Sequence, residues 1–431
     1  MKRFTRGALA ALVLPVVAAP AYADGCSAVQ AVATPVYPSG PLSLESAIRR
    51  AGTLAPEVLI SALEARATSA DADQAARPLN PVVSLEMENF AGSGLLAGYR
   101  AAESTLSVEQ TLRLGDKRKL AERAGRAEAA LASAECRVQR RETELLAGEL
   151  FLQLEAAVDI ADIANEFAAL AEEFAGVVQS RVDAGAAAPP ELNRARSEAA
   201  SLAAIAEAAR GEIISRALAL SKVWGSPEVD FELPGTSGRS RTREVIPPVG
   251  EDLSHPVLDV AQAGAGARLA SAELAKAGAY PDITVSAGVR QFEETGDSAV
   301  VAGISISLPL FDRNKDAARA ASLRANGAQL SARAVEDRLR SEQASLAARV
   351  RTDAVRLKKL EEEALPYAEQ AFAAAAEGYR VGKFDLTATL DARRSLIETR
   401  AAVIGARLSL ETETLRLRAL IGAAPFDGEI Q

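Results

Sequence analysis

Four short stretches of the chain alternate apolar and polar residues with a period of two, and most of the remainder runs in long helical stretches. Val83, Leu85 and Met87 alternate with Ser84, Glu86 and Glu88, and Leu106 and Val108 with Ser107 and Glu109. Further on, Ile283, Val285, Ala287 and Val289 alternate with Thr284, Ser286, Gly288 and Arg290, and Ala302, Ile304, Ile306 and Leu308 with Gly303, Ser305 and Ser307. This alternation predicts four strands, each with one apolar and one polar face. Segments 89–103 and 291–298, with Gly-Ser-Gly and Thr-Gly-Asp, read as the turns that join them in pairs. A helix precedes each pair, Leu44 to Arg77 and His255 to Ala277, and prolines follow at Pro78, Pro81 and Pro281. After each pair comes a much longer stretch. Asp116 to Asp183 holds no proline and is enough for ~100 Å of helix. Asn314 to Val381 matches it and is interrupted once, at Pro366. A glycine turn ends each, and a helix returns: Pro190 to Trp224, then Leu386 to Ile421.

The plan therefore occurs twice. Asn80-Pro81-Val-Val-Ser-Leu85 resembles Tyr280-Pro281-Asp-Ile-Thr-Val285, Leu106 to Leu112 resembles Ile304 to Leu310, and Arg181-Val-Asp-Ala-Gly185 resembles Tyr379-Arg-Val-Gly382. The three landmarks keep their order at a spacing of about 200 residues. The expected organisation is a segment 1–23, a first repeat 24–233, a Gly/Pro/Arg-rich connector 234–250 and a second repeat 251–431. Residues 1–23 read as a secretory signal: Lys2, Arg3 and Arg6, an apolar stretch from Gly7 to Ala19, then Ala21-Tyr22-Ala23 as a cleavage pattern. Cys26 follows closely, but Ala23-Asp24-Gly25 fits a lipoprotein signal poorly. Pairing of Cys26 with Cys136 and two free thiols are the open alternatives.

Composition narrows the function. The 431 residues carry a net charge of −9 and 25% charged residues, which excludes a polytopic helical membrane protein and argues against nucleic acid as a partner. One His and two Cys leave no His- or Cys-rich metal centre and no soft-metal cluster, so no metal or cofactor is expected. No phosphate-binding glycine loop and no nucleophile elbow occurs, and the carboxylates lie in helical register with Arg and Lys. An enzyme is not expected. His255 reads as a helix-start residue and Trp224 as packing.

Four strands cannot close a barrel, and an open edge cannot face lipid because its backbone groups would lack partners. Either the strands lie in water or other copies complete them. Three copies would give twelve strands, with Ser84, Glu86, Glu88, Thr284, Ser286, Ser305 and Ser307 lining a water-filled lumen. Helices of ~100 Å likewise fit a tube or a rod better than a globule.

With these residues in place, the chain resembles the TolC-type outer-membrane efflux family over nearly all of its mature length. Pro78-Leu-Asn-Pro81 leading into Ser84-Leu-Glu-Met-Glu-Asn-Phe90, and Gln110-Thr-Leu-Arg-Leu-Gly-Asp-Lys-Arg118, are similar to its cobalt–zinc–cadmium (heavy-metal) branch, with Asp116 in place of a usual second Gly. The resemblance implies a mainly α fold with a small β part: a homotrimeric, 12-stranded outer-membrane β-barrel with four strands per chain, continued by a long periplasmic α-helical barrel. It implies a passive exit duct for divalent heavy-metal cations, seated in outer-membrane lipid and serving a periplasmic membrane-fusion adaptor and an inner-membrane resistance–nodulation–division pump. It also implies site residues. Val182, Ala184, Gly185, Ala186, Val381, Gly382 and Lys383 would form the adaptor-binding tip, and Glu191, Tyr379 and Asp391 the periplasmic gate. Ala388 stands where a second gate acid would fall, and Phe384 where a basic partner would, with Arg380 or Lys383 as substitutes. The alternatives are a drug-efflux or type I protein-secretion duct and, from another class, a periplasmic structural coiled-coil or adaptor protein.

Overall fold

The computed structural model describes Cys26 and residues 41–234 and 255–423. The expected signal segment lies outside the described residues, as does the connector apart from Pro234. Helices α1 (Leu44–Leu54) and α2 (Pro56–Ala75) precede strands β1 (Val82–Glu88) and β2 (Glu103–Leu112). Then come α3 (Lys117–Asp183), α4 (Pro189–Val223), α5 (Pro256–Ala277), β3 (Ile283–Phe292), β4 (Ser298–Ile306), α6 (Lys315–Lys359), α7 (Leu365–Arg380) and α8 (Leu386–Ile421).

The four strands form one antiparallel sheet in the order β1-β2-β3-β4. The register aligns Leu85 with Leu106, Leu106 with Val289 and Val289 with Val300, so the alternating apolar residues of all four strands share a face, with Val82, Phe292 and Val301 on the other. Nothing among the described residues covers that face: Leu85 is 68% exposed and Val300 83%. Strands β1 and β4 leave unpaired edges, an arrangement that invites pairing with further strands.

Helix α3 runs 67 residues without a break, ~100 Å. It packs against α1, α2, α4, α5 and α8. Ala147, Leu154 and Ala161 are buried one heptad apart, a spacing that keeps one seam facing its neighbours. Two expected helices are interrupted where backbone chemistry requires it. The helix expected from Leu44 to Arg77 breaks at Ala55, whose ψ of 128° is extended, because Pro56 disfavours the helical region for the residue before it. In the second long stretch the interruption is a π-helical turn, Leu360–Ala364, just ahead of Pro366. Proline has no N–H to give the preceding turn, and a widened turn with Leu365 N–H bonded to Leu360 O absorbs the mismatch without ending the helix. Asp116 and Asn314, expected as first helical residues, instead precede α3 and α6 in the left-handed region at φ 55° and 54°. Asp and Asn tolerate this region better than other side chains, which explains why Asp116 can stand where the similar motif usually carries Gly.

Cys26 and Cys136 form a disulfide with Cα atoms 6.1 Å apart, closing a sequence separation of 110. The pair is buried against Ala62 and Ala65 of α2 and Ala132 of α3. His255 is the N-cap of α5, its Nδ1 accepting from Val257 N–H at 3.3 Å. Burial, reinforced by Arg141 and opposed by Asp259, lowers its pKa from 6.5 to about 4. The folded protein therefore resists protonation that the unfolded chain accepts. The stability of this helix start is complete above about 6.5 and falls as pH drops toward 4. His255→Asn keeps a capping acceptor and should make the unfolding midpoint less sensitive to pH across that window, measured by thermal scans of both proteins.

Candidate functional site

The far end of the helical hairpins is built by two turns of the same kind. Helix α3 ends with Gly185 at φ 70°, where Gly185 N–H bonds Val182 O at 2.9 Å and Ala186 N–H bonds Arg181 O at 2.8 Å. Helix α7 ends with Gly382 at φ 76°, where Gly382 N–H bonds Tyr379 O at 3.0 Å and Lys383 N–H bonds Gly378 O at 2.7 Å. Both are Schellman caps, which need a left-handed residue after the helix and satisfy two of its last carbonyls. Helix α4 restarts on Pro189 with Ala188 N–H bonded to Glu191 Oε1, and α8 on Asp385, whose carboxylate accepts from Ala388 N–H at 2.8 Å. The predicted tip residues Ala184, Gly185, Ala186, Val381, Gly382 and Lys383 are exposed, while Val182 is half-buried under the turn.

Behind the turns, polar contacts join one hairpin to the other. The Tyr379 hydroxyl donates to Glu191 Oε2 at 3.2 Å. Burial and the Glu191 carboxylate raise the Tyr379 pKa, so the phenol stays a donor. The Arg181 guanidinium lies 4.5 Å from the Tyr379 ring centroid and bonds Tyr379 O and Ala186 O. The cation beside Tyr379 thus comes from the first hairpin. Arg380, expected as a substitute, pairs with Glu377 on its own helix, and Lys383 is exposed. Phe384 instead folds its ring onto Gly378, where any Cβ would collide with it. Asp391 is exposed on α8. Two positions further on, Arg393 is 2% exposed, pairs with Glu198 of α4 at 2.9 Å and lies over the Phe174 ring. Sequence reasoning missed the roles of both arginines. Arg181 opens a tip motif without any mark of its partner, and Arg393 carries nothing that distinguishes it from a solvated helix Arg.

At the other end, Ser84, Glu86, Glu88, Thr284, Ser286 and Ser305 share the sheet's polar face, whereas Ser307 lies one residue beyond β4. The same face holds Glu103, Glu109 and Arg290. Arg290 spans three strands, reaching Glu88 at 3.2 Å, Glu103 at 2.8 Å and the Thr105 hydroxyl at 3.0 Å. The Gln110–Arg118 motif forms the joint between sheet and helices. Gln110 Nε2 donates to Leu79 O at 3.0 Å, Thr111 pairs with Thr284 at 2.9 Å, Lys117 with Asp282 at 2.8 Å, and Arg118 bonds Ala76 O. Tyr280 covers Gly115, leaving no room for a side chain there.

A sheet with an uncovered apolar face and an acidic polar face, continued by helical hairpins that end in matched exposed turns, defines an outer-membrane conduit. Comparison with known proteins agrees. The outer membrane efflux protein family profile matches residues 252–423. The chain is 28% identical over 376 residues to the cobalt-zinc-cadmium resistance protein CzcC of Cupriavidus metallidurans, covering 86% of this chain and 88% of that one. It is 32% identical over 280 residues to the nickel and cobalt resistance protein CnrC of the same organism, covering 64% and 66%. Among solved structures, the outer membrane protein VceC of Vibrio cholerae shares the fold at a TM-score of 0.73 and 20% identity, over 88% of this chain and 96% of that one. CusC does so at a TM-score of 0.76 and 18% identity, over 88% and 92%. Residues 252–423 belong to the outer membrane efflux protein family. The protein is an outer-membrane efflux channel with a periplasmic helical extension, and not an enzyme.

Proposed function

We propose that three copies of this chain form the exit duct of a tripartite efflux system for divalent heavy-metal cations. The sheet carries the reading. Its apolar face suits lipid, its polar face suits a wet lumen, and its free edges call for closure. Four strands in sequence leave β1 antiparallel to β4, so β4 of one copy can pair with β1 of the next and close a barrel of antiparallel strands. The polar face supports cation passage. Glu86, Glu88, Glu103 and Glu109 stand against Arg290, which already binds two of them. A lumen with this excess of carboxylates concentrates cations. The names of CzcC and CnrC assign metal resistance to those proteins, and the stretch from Pro78 to Phe90 and the Gln110–Arg118 joint are the parts of this chain whose motifs resemble that branch. The chain offers no metal-ligating cluster among the described residues, so selection of the ion falls to the pump.

In this reading the exposed tip turns dock the periplasmic adaptor, and the inner-membrane pump supplies the energy. The contacts of Tyr379 with Glu191 and Arg181 hold the two hairpins together as a latch. Asp391 of three copies forms an acidic ring at the periplasmic entrance. The two repeats, 24–233 and 251–431, then contribute equivalent hairpins to the duct. The test is conductance of the purified protein in planar bilayers. The wild type should prefer cations, and Asp391→Ala should weaken that preference and the block by divalent ions. A wild-type channel that prefers anions would overturn the cation reading. An unchanged divalent block in the variant would remove Asp391 from the gate.

A further inference from the structure

We infer that the N-terminal end of the mature chain is held by a buried disulfide instead of a lipid, and that Cys26 carries no acyl anchor. This goes beyond the proposed export function and does not rest on it. The sequence places a cysteine just behind a secretory signal, where two fates compete for one sulfur: a thioether to a diacylglyceryl group, or a disulfide. The two exclude each other, because each uses the only valence the thiol has to give.

Two observations carry the inference, one for the disulfide and one, built on it, against the lipid. The first is the bond itself. Cys26 meets Cys136 with Cα atoms 6.1 Å apart, inside the range a disulfide spans. Both residues are buried, Cys26 at 4% exposure and Cys136 at 0%, in a pocket of small side chains formed by Ala62, Ala65 and Ala132. Alanines at these places leave room for the cystine between α2 and α3, and no space for acyl chains. The second observation is position. Helix α3 begins at Lys117, directly after the strand β2 that leaves the membrane-facing sheet. Cys136 lies roughly 30 Å along α3 from that start, at about 1.5 Å per residue. A lipidated Cys26 would have to sit at the membrane surface, yet its partner holds it well below, against the periplasmic helices. The Asp24 that spoils the lipoprotein pattern agrees with this fate.

The chemistry balances with a disulfide-bearing oxidant of the envelope. Each thiol loses one proton and one electron, a sulfur–sulfur bond forms between Cys26 and Cys136, and the oxidant's own disulfide is reduced to a dithiol. The buried bond then staples the start of the chain to α2 and α3 and is sheltered from small reductants.

The test uses full-length protein purified from outer membranes, unfolded in denaturant with or without a reductant that is then removed, and treated with a maleimide that shifts the mass for each free thiol. The inference predicts no addition without reductant and two additions after it. One addition under both conditions would place a lipid on Cys26 with Cys136 free. Two additions without reductant would mean that neither bond forms. Either result overturns the inference. A second variant guards against misfolding of the first. Cys136→Ser should leave Cys26 open to one addition after denaturation, whereas an acylated Cys26 would stay unreactive. Cys26→Ser, which removes the only acceptor for a lipid there, should still reach the outer membrane. Retention of that variant in the inner membrane would also contradict the inference.

Discussion

Gly382→Pro abolishes export while the protein still accumulates in the outer membrane as an assembled channel; that is the expected result. Gly382 sits at φ 76°, and proline is held near about −65°. Proline also removes the N–H that bonds Tyr379 O at 3.0 Å. The substitution therefore cannot keep the cap, and the exposed Val381-Gly382-Lys383 turn must take another shape. The loss is local. The sheet, the joint around Lys117 and Asp282, and the seam along α3 lie in other parts of the chain and keep their own contacts. Gly185→Pro, at φ 70°, should behave the same way, because it destroys the matching cap on the other hairpin. Export near zero with normal membrane levels of protein, read by metal accumulation in whole cells and by fractionation, is the signature of a docking surface. Normal export by both variants would remove the turns from the adaptor site.

The second large effect is a leak. Arg181→Ala combined with Tyr379→Phe removes the hydroxyl bond to Glu191 and the guanidinium that bonds two carbonyls and covers the Tyr379 ring. Hydrogen bonds involving a charged partner contribute roughly 1.5–3 kcal/mol each. Since about 1.4 kcal/mol is a factor of ten in an equilibrium, the latched form loses roughly tenfold or more in population per chain, and three chains share one entrance in the proposed trimer. The double variant should raise the resting conductance of single channels in bilayers and admit large hydrophilic antibiotics into cells. The substitution of Tyr379 keeps an aromatic ring to pack on Phe174, so folding should survive. Resting conductance equal to the wild type would show that these contacts do not latch the tip.

The parts of the fold that local chemistry dictates were legible in the sequence. Period-two alternation marked all four strands, because a sheet with two different surfaces must alternate. The absence of proline from Asp116 to Asp183 marked α3, and the glycines of the two tip turns marked its end and that of α7. What escaped depends on neighbours, some of them far along the chain. Ala55 looks helical by itself, and only the proline after it breaks α1 from α2. Pro366 announced an interruption, but not its form, a π turn in which Leu365 N–H bonds Leu360 O and the helix continues. The pairing of Cys26 with Cys136 rests on bringing together residues 110 positions apart.

The site shows the same division. Tyr379 and Glu191 were found, and they meet. Their cation was sought near Tyr379 in sequence, at Arg380 or Lys383. It comes instead from Arg181, on the opposite hairpin, because the two long hairpins end level with each other. Arg393 stands next to Arg394 in a charged helix and reads as solvated. Its burial against Phe174 with Glu198 is set by how closely α8 packs on the first hairpin.

The most direct test of the account is the growth of a strain lacking this protein across zinc, cobalt, cadmium and nickel salts and a panel of amphiphilic drugs, restored with the wild type or with Gly382→Pro. A duct for divalent metals predicts sensitivity to those ions alone, rescued by the wild type and not by the variant. Sensitivity confined to the drugs would contradict the metal assignment while leaving the channel in place.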